Sequence, residues 1–472
     1  MAIRGGMLRI GGYALGLLFA LASIPLLTRH LGVVDFGSYV TVLSLITIVG
    51  LISDAGLTIV GVREYSVRDA AARQRLMTNL LGLRIAVAAA GVAGATLFAA
   101  AAGYDEALIG GTVLAGVGLV LLVAQQSWSV SLTSELRLGL VTGFDVLRQA
   151  LLAAGIVILV IAGAGLIEFL AIPIPVGLAV AALTMLAIRG RAFLRPTFER
   201  DEWRYLIGEA LPVAIASTIG SFFYRVAIIM MSLIATAQET GYFSASFRVT
   251  EAIIMVPGLI TAAAFPILAR AAHGDEDRLA YALQRLFDIA VILGAWVAVC
   301  IVIGAEPAID VVGGSEFEPA VPVLRIQGVA MAASFLVAVW ATGLWAMRRQ
   351  RSLMIANLIG VGTAAGLTAL LIPSSGAEGA AVAMTVAEVL LAGCYGFALM
   401  RDRPKLRPDP AVVPKTVVAV ALSAALWLVP APDALLVLAA TVVFFGVMLA
   451  LRGIPPDVWD AVRSGRRRTK NA

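Results

Sequence analysis

The sequence predicts an all-α polytopic membrane protein with fourteen transmembrane helices. Hydrophobic residues occupy 60% of the 472 positions and charged residues 14%, whereas soluble domains have about 45–50% and about 25%. A spanning helix needs about 20 mostly apolar residues, and stretches of that length recur from Leu8 to Arg452 with short polar interruptions. The basic residues concentrate in alternate interruptions, which is typical of a polytopic protein.

The apolar stretches define the predicted spans. They lie near residues 8–27, 37–56, 78–101, 107–132, 145–163, 168–188, 206–233, 242–268, 287–305, 321–346, 353–372, 378–400, 415–430 and 434–451. Ala20-Leu21-Ala22 imitates a signal-peptide cleavage site, but the stretch stays apolar to Leu27. We therefore interpret the first span as a retained helix.

The distribution of basic residues predicts the orientation of the chain. Cytoplasmic segments carry the excess of Lys and Arg, and a cytoplasmic N-terminus puts all but four of the 35 Lys and Arg residues on that side. The exceptions are Arg29, Arg225, Arg248 and Arg325. An even number of spans then places both termini in the cytoplasm. The tail from Arg466 to Lys470 is expected to contact anionic membrane lipids, and no nucleic-acid partner is expected.

Two short motifs recur in the two halves of the chain. Asp35-Phe36-Gly37-Ser38-Tyr39 resembles Glu239-Thr240-Gly241-Tyr242-Phe243, and Gly50-Leu51-Ile52-Ser53 resembles Gly258-Leu259-Ile260-Thr261. We interpret spans 1–6 and 7–12 as two six-helix lobes in a parallel repeat, related by a pseudo-two-fold axis along the membrane normal. The predicted domains are residues 1–204 (the N-lobe), 205–411 (the C-lobe) and 412–472, which holds spans 13 and 14 and the basic cytoplasmic tail.

The sequence lacks the common signatures of catalysis and metal binding. No G-x-x-x-x-G-K-[ST], G-x-S-x-G or H-E-x-x-H motif occurs, so nucleotide hydrolysis and the commoner hydrolase chemistries are unsupported. Cys300 and Cys394 lie inside apolar runs without C-x-x-C spacing, and His30 and His273 lie at opposite ends of spans. We expect no enzyme activity, no metal and no bound cofactor.

Ionisable groups inside the spans are the candidate functional residues. Inserting such a group at a helix centre costs ~2.5–3.5 kcal/mol on the insertion scale, so each is expected to have a partner or a function. Arg225, Arg248 and Arg325 lie in the outer parts of spans 7, 8 and 10, and Arg29 lies at the outer end of span 1. We predict that they line a central cationic cavity, because a guanidinium pairs bidentately with phosphate.

Each of these arginines has a simpler interpretation. Arg248 and Glu251 are spaced i,i+3 and can neutralise each other on one helix face. Arg29 and Arg325 are close enough to the membrane interface to extend into the headgroups. Arg225 follows Phe222-Phe223-Tyr224 and precedes apolar residues, which favours a position in the cavity.

Four residues are candidates for ion coupling or gating. Asp54 near the inner end of span 2 and Arg84 near the inner start of span 3 form a candidate gate pair, with extension into the interface as the alternative. Glu388, about halfway along span 12, is a candidate H+ or Na+ site or a buried partner for an arginine. Glu251 is a candidate for the same role, and the coupling ion is left open.

Several motifs resemble those of Wzx-type polysaccharide flippases. Thr28-Arg29-His30-Leu31-Gly32, Asp35 to Tyr39, Ser53-Asp54-Ala55-Gly56-Leu57 and Arg63-Glu64 resemble the opening of these proteins. Tyr224-Arg225 with Ile228-Ile229-Met230, Gly241 to Ala245 and Phe265-Pro266 are similar to their seventh and eighth helices. Members of the family often have an acidic residue two positions after the arginine of helix 7, where this chain has Ala227.

The resemblance implies the fold of the multidrug/oligosaccharidyl-lipid/polysaccharide (MOP) superfamily, with two lobes around a cavity that opens alternately to each side. The implied substrate is an undecaprenyl-pyrophosphate-linked oligosaccharide, flipped from the inner to the outer leaflet of the bacterial plasma membrane for cell-surface polysaccharide biosynthesis. A polysaccharide polymerase or ligase is an implied partner. The acid missing at Ala227 puts any ion coupling through that position in doubt.

Three other functions are compatible with the sequence. A MATE-like drug or metabolite exporter would use acidic residues in the cavity, whereas arginines dominate here. A membrane enzyme of glycan assembly would need a sizeable outer loop with catalytic polar residues, and the predicted outer loops are short. A structural or partner-recruiting protein with the same fold would need neither feature.

Overall fold

The computed structural model describes residues 2–188, 195–401 and 403–454, which are almost entirely helical. No strand occurs in these ranges, which agrees with the predicted all-α class. The residues form two compact units, Met1–Ser244 (unit 1) and Ala245–Ala472 (unit 2). The basic segment around Arg191 and the tail from Arg466 to Lys470 lie outside the described residues.

Unit 1 contains eight helices within its described residues and the beginning of a ninth. They are α1 (Ala2–Asp54), α2 (Leu57–Val67), α3 (Ala70–Ala101), α4 (Glu106–Ser134), α5 (Leu138–Ala162), α6 (Leu166–Ala171), α7 (Pro173–Ala187) and α8 (Arg200–Ile234), followed by α9 (Ala237–Ala271), which continues into unit 2. Asp69 and Asp105 cap α3 and α4, because their carboxylates accept the backbone N–H groups of Ala72 and Leu108.

Unit 2 contains the rest of α9 and six further helices in the described part of the chain. They are α10 (Glu276–Ile303), α11 (Ala305–Gly313), α12 (Ala320–Ala346), α13 (Gln350–Met400), α14 (Val412–Ala424) and α15 (Asp433–Ala450). Short 3₁₀ turns at Ser315–Phe317, Pro404–Leu406 and Ala425–Leu428 connect or extend them. Helix α12 packs between α10 and α13, and α14 and α15 form a hairpin against α10.

Ten helical stretches in the described residues are long and apolar enough to cross a membrane. Leu15–Val67 has 53 residues and Gln350–Met400 has 51, although one crossing needs only about 20. Each is interrupted by a glycine with positive φ, Gly32 at 68° and Gly376 at 48°, a conformation that glycine adopts without strain. The chain is therefore a multi-pass membrane protein, and the number of fourteen spans stays a prediction.

Large apolar side chains also cover the outside of the helices. Ile158 and Ile161 on α5 are 63% and 81% exposed, and Leu438 and Val442 on α15 are 64% and 72% exposed. Exposed apolar surface of this extent marks contact with lipid or with a partner. These faces therefore agree with the predicted membrane environment.

The compact units divide at a different place from the predicted lobes. The sequence predicts a boundary at 204/205, whereas the units divide at 244/245. The reason is that α8 packs on α1, α2 and α3 of unit 1. The two-lobe repeat and the predicted domains remain predictions.

The first pair of repeated motifs meets inside unit 1. A Cβ added to Gly37 would lie 2.8 Å from the carbonyl oxygen of Ala237 and 2.8 Å from the nitrogen of Gly241. A Cβ added to Gly241 would overlap the carbonyl oxygen of Val33. Only glycine permits this backbone approach. We call it the glycine contact.

Candidate functional site

A fully buried arginine organises one end of unit 1. Arg84 on α3 has 0% exposure, and its Nη2 donates to Asp54 Oδ1 at 2.9 Å and Gln126 Oε1 at 3.2 Å. Its Nη1 donates to Thr58 Oγ1 at 3.2 Å, and Thr58 donates to Asp54 Oδ1 at 2.5 Å. Asp54 and Arg84 are therefore in contact, and the role of this pair as a gate stays a prediction.

Asp54 of this pair lines a cavity within unit 1, which we call the unit 1 cavity. Its volume is about 740 Å³, and α1, α2, α4, α5 and α7 form its wall. Polar residues line one end, namely Asp54, Thr58, Gln125, Gln126, Ser129, Thr133, Asp145 and Arg148. Leucine, isoleucine, valine and proline side chains line much of the remaining wall. Pockets of about 300–1,000 Å³ hold small-molecule ligands.

Helix α5 contributes a second charged pair to this cavity. Asp145 and Arg148 are one turn apart and both line it, which places opposite charges on one helix face. The Nε of Arg148 is buried and has no hydrogen-bond partner among the described residues. Sequence reasoning missed this pair, because orientation alone explained Arg148 near the start of a span. The i,i+3 spacing inside an apolar run was the available signal.

The other predicted arginine positions in unit 1 lie on α1 and α8. Arg29 is exposed and precedes the helix break at Gly32. Arg225 is half-buried on α8, between the buried side chains of Phe223 and Val226. They lie on two helices that contact each other.

The arginines in unit 2 have partners within that unit. Arg248 Nη1 donates to Glu251 Oε2 at 2.8 Å, so the pairing that the i,i+3 spacing left open is present. The Nε of Arg325 donates to the carbonyl oxygen of Val302 at 3.3 Å, and its guanidinium lies 4.9 Å from the ring centre of Trp427. A guanidinium carries five N–H groups, so these contacts leave capacity for an anionic ligand.

Glu388 lies inside unit 2 and is only 4% exposed. Its Oε1 accepts a hydrogen bond from Ser334 at 2.5 Å. Nearby on α13, Asn357 Oδ1 accepts a hydrogen bond from the hydroxyl of Tyr395 at 2.7 Å. Among the described residues, no group of three or more His, Cys, Asp or Glu side chains could hold a metal ion.

An ion-pair cluster joins α2 to the start of α8, and we define it as Arg63, Glu64, Arg68, Glu202 and Glu209. Arg68 contacts Glu202 at 2.5 Å and Glu64 at 3.2 Å, and Arg63 contacts Glu209 at 2.6 Å. Burial lowers the pKa of Arg68, but its bonds to the two carboxylates outweigh burial and raise the pKa above its ordinary value. The sequence placed these charges near loops and gave no sign that they pair.

The helices define a multi-pass membrane protein, and its fold is similar to the folds of a flippase and of transporters of the MOP superfamily. The lipid II flippase MurJ, solved in an inward closed conformation, matches 94% of this chain and 98% of its own at 11% identity, with a TM-score of 0.75. An inward-facing multidrug resistance MATE family transporter of the MOP superfamily matches 84% of this chain and 98% of its own at 13% identity, with a TM-score of 0.68.

A third similar structure is a MOP superfamily transporter from Pyrococcus furiosus, described as having a binding pocket of reverse polarity. It matches 86% of this chain and 96% of its own at 15% identity, with a TM-score of 0.58. No curated protein matches the chain in sequence. The TM-scores establish a shared fold, and the three solved proteins are described as a flippase and transporters.

Residues 26–322 match the family described as polysaccharide biosynthesis protein, and the chain belongs to this family. The matched segment covers unit 1 from the end of the first predicted span and continues into α12. The predicted resemblance to Wzx-type polysaccharide flippases is confirmed by this family and by the shared fold.

Proposed function

We propose that this protein flips an undecaprenyl-pyrophosphate-linked oligosaccharide from the inner to the outer leaflet of the bacterial plasma membrane, for cell-surface polysaccharide biosynthesis. The observation that carries the proposal is membership of a polysaccharide biosynthesis family in a chain of membrane-spanning helices. A polar lipid headgroup cannot cross hydrocarbon without a protein that shields it. A cavity bordered by charged side chains within the spans supplies such shielding.

The proposed transport proceeds by alternating access with both termini in the cytoplasm. The breaks at Gly32 and Gly376 support fourteen crossings, because each divides a stretch that is too long for one. The contact between Gly37 and Gly241 supports the two-lobe repeat, because equivalent positions of two copies meet near an axis that relates them. A polymerase or ligase that uses the flipped product would be the functional partner.

Arg29, Arg225, Arg248 and Arg325 are proposed to contact the pyrophosphate. Arg248 and Arg325 keep N–H groups beyond those used by Glu251 and Val302. Glu251 would hold Arg248 in place until phosphate competes for it, which makes Glu251 a candidate for coupling transport to H+ or Na+. Glu388 is a second candidate, because it is buried and the burial of a charged carboxylate costs free energy that protonation avoids.

Depletion of the protein in its host, followed by analysis of lipid-linked glycans, tests this function. We expect an undecaprenyl-pyrophosphate-linked glycan to accumulate on the inner leaflet, together with loss of surface polysaccharide. Unchanged lipid-linked glycans would contradict flipping.

Complementation with single variants tests the role of the arginines. Arg225→Gln, Arg248→Gln and Arg325→Gln should insert normally and lower transport by about tenfold or more, since a hydrogen bond to a charged group contributes about 1.5–3 kcal/mol. Arg407→Gln is the matched control, because Arg407 is exposed in the segment before α14. Full transport by all three variants would remove these residues from the substrate site.

Export of a drug or metabolite is the second candidate function. The similarity in fold to a MATE transporter favours it. Proteoliposomes that exported ethidium against its gradient, from a protein that did not flip lipid-linked glycans, would establish this alternative.

A further inference from the structure

The polar end of the unit 1 cavity combines hydrogen-bond donors and acceptors with balanced charge. Two carboxylates, Asp54 and Asp145, line it together with the guanidinium of Arg148, and Arg84 lies behind Asp54 at 2.9 Å. Two positive and two negative charges cancel. The cavity therefore offers no excess of positive charge for a free phosphate and no excess of negative charge for an organic cation.

The buried arginine also orients the groups that face the cavity. Gln126 Oε1 accepts from Arg84, and the Nε2 amide group of this exposed side chain is a donor for a ligand. The Asp54 side chain is 42% exposed even though Arg84 and Thr58 hold one of its oxygens. Both side chains thus combine a fixed position with access to the cavity, and binding needs little reorganisation.

The chemistry of this end matches the hydroxyl groups of a sugar. Each hydroxyl donates one hydrogen bond and accepts others, so it suits a wall that alternates carboxylate, amide, guanidinium and hydroxyl groups. Ser129 and Thr133 extend this wall along α4. Arg148 also lines the cavity, and its guanidinium can donate to acceptors on a ligand.

The opposite end of the cavity is apolar. Leu43, Ile46, Leu119 and Val176 line it, which gives the cavity a polar-to-apolar gradient. Carbohydrates have apolar faces formed by their C–H groups as well as polar edges, so a sugar can use both ends. The volume of about 740 Å³ is within the range of about 300–1,000 Å³ that encloses a small ligand.

We propose that the unit 1 cavity binds the neutral glycan part of the lipid-linked substrate, at a site separate from the arginines proposed for the pyrophosphate. This inference rests on the proposed flippase function and adds the residues that recognise the sugar. Asp54, Gln126, Asp145 and Arg148 are the binding residues, and Arg84 is a positioning residue that acts through Asp54 and Gln126.

The first test separates sugar recognition from pyrophosphate recognition. The full chain in lipid nanodiscs is titrated with undecaprenyl-pyrophosphate-linked glycans extracted from its host, and separately with undecaprenyl pyrophosphate that carries no sugar. The wild type should bind the glycan-bearing lipid about tenfold more tightly, as two or three hydrogen bonds would produce. Gln126→Leu and Arg148→Gln should lose this difference and keep the affinity for the sugarless lipid.

Failure of the proposed sugar site and failure of the proposed flippase function give different results in this titration. Variants that keep the full preference for the glycan would overturn the cavity as the sugar site, while binding of both lipids by the wild type would leave the flippase function intact. A wild type that bound neither lipid would refute the flippase function and this inference with it.

If these substitutions damage folding, a labelling experiment tests the proposed sugar site instead. In a Cys300→Ser/Cys394→Ser background, Thr133→Cys places a thiol in the cavity wall, and Leu136→Cys places one on a side chain that is 80% exposed. The glycan-bearing lipid should slow maleimide labelling at position 133 about tenfold at ten times its Kd, and the sugarless lipid should not. Labelling at position 136 should be equal with both. Equal labelling of position 133 with both lipids would overturn the site.

Discussion

Two contacts near opposite ends of helices α1 and α8 depend on different kinds of interaction. At Gly37, which follows the break in α1 at Gly32, α1 meets the start of α9 through the glycine contact, without side chains between the backbones. Beyond the other end of α1, the start of α8 meets α2 through the ion-pair cluster. One contact depends on the absence of a side chain, and the other depends on the presence of charge.

This difference matters for the proposed alternating access, in which the protein opens at one end at a time. A backbone contact of uncharged groups is insensitive to salt and very sensitive to volume. A partly exposed ionic contact tolerates changes in volume and weakens as salt screens it. Each end can therefore be perturbed without the other.

The largest effect is expected at Arg84, at the buried margin of the ionic end. Arg84→Met removes the partner of Asp54, and breaking a buried pair costs about 3–5 kcal/mol because a charge is left uncompensated, less here because the Asp54 side chain is 42% exposed and water screens it. We expect a clear fall in the midpoint of thermal unfolding in detergent. The double variant Asp54→Asn/Arg84→Met should recover much of that loss, since it leaves no unpaired charge. A single variant as stable as the wild type would show that Asp54 does not depend on Arg84.

The next effect is expected at the glycine contact. Gly241→Ala adds a methyl group that overlaps the carbonyl oxygen of Val33, and overpacking of this kind costs about 1–3 kcal/mol. The thermal midpoint should fall, and a cysteine introduced at position 33 should become more reactive to maleimide because the two segments separate.

Gly258→Ala is the matched control for this substitution. Gly258 lies in the same helix, α9, and a Cβ there would meet no atom within 4 Å. This variant should be as stable as the wild type or slightly more stable, because alanine favours helix. Equal destabilisation by the two substitutions would refute the special role of the contact.

The sequence predicts the helices far better than the contacts between them. Apolar length alone indicates the spans, because lipid requires each crossing helix to satisfy its own backbone. The repeated motif around Gly37 and Gly241 is visible as a similarity, but nothing in it shows that the two glycines touch. The bond from Arg68 to Glu202 joins residues 134 positions apart, and pairing over such a distance depends on how helices pack.

The residues of the candidate site could also be predicted from the sequence only in part. Asp54 and Arg84 could be predicted as a pair, since an acid and a base at the same predicted depth on consecutive spans are natural partners. Arg148 could not, because the charge bias of membrane proteins already explained a basic residue at that end of a span. A glutamine in an apolar span is by default an interhelical hydrogen-bonding group, and only the position of Gln126 between Arg84 and the cavity gives it a specific role.

A smaller effect is expected from the buried part of the ion-pair cluster. Glu202→Gln removes a charge from the bond to Arg68, whose side chain is 17% exposed, and a bond to a charged group of this kind contributes about 1.5–3 kcal/mol, less after solvent screening. The thermal midpoint should fall modestly at low salt. High salt should lower the wild type toward the variant and leave the effect of Gly241→Ala unchanged. If the effect of Glu202→Gln did not depend on salt, ionic contacts would not be what holds this end together.

The smallest effect is expected from the exposed part of the same cluster. Arg63 and Glu209 approach to 2.6 Å, but their side chains are 53% and 41% exposed, so water and ions compete for both charges. Glu209→Gln should leave the thermal midpoint within experimental error at physiological salt, measured beside Glu202→Gln in the same lipid. Because both acids are on α8 and both pair with arginines at α2, they differ mainly in burial. A larger loss from Glu209→Gln than from Glu202→Gln would show that the ionic end is held together at its surface.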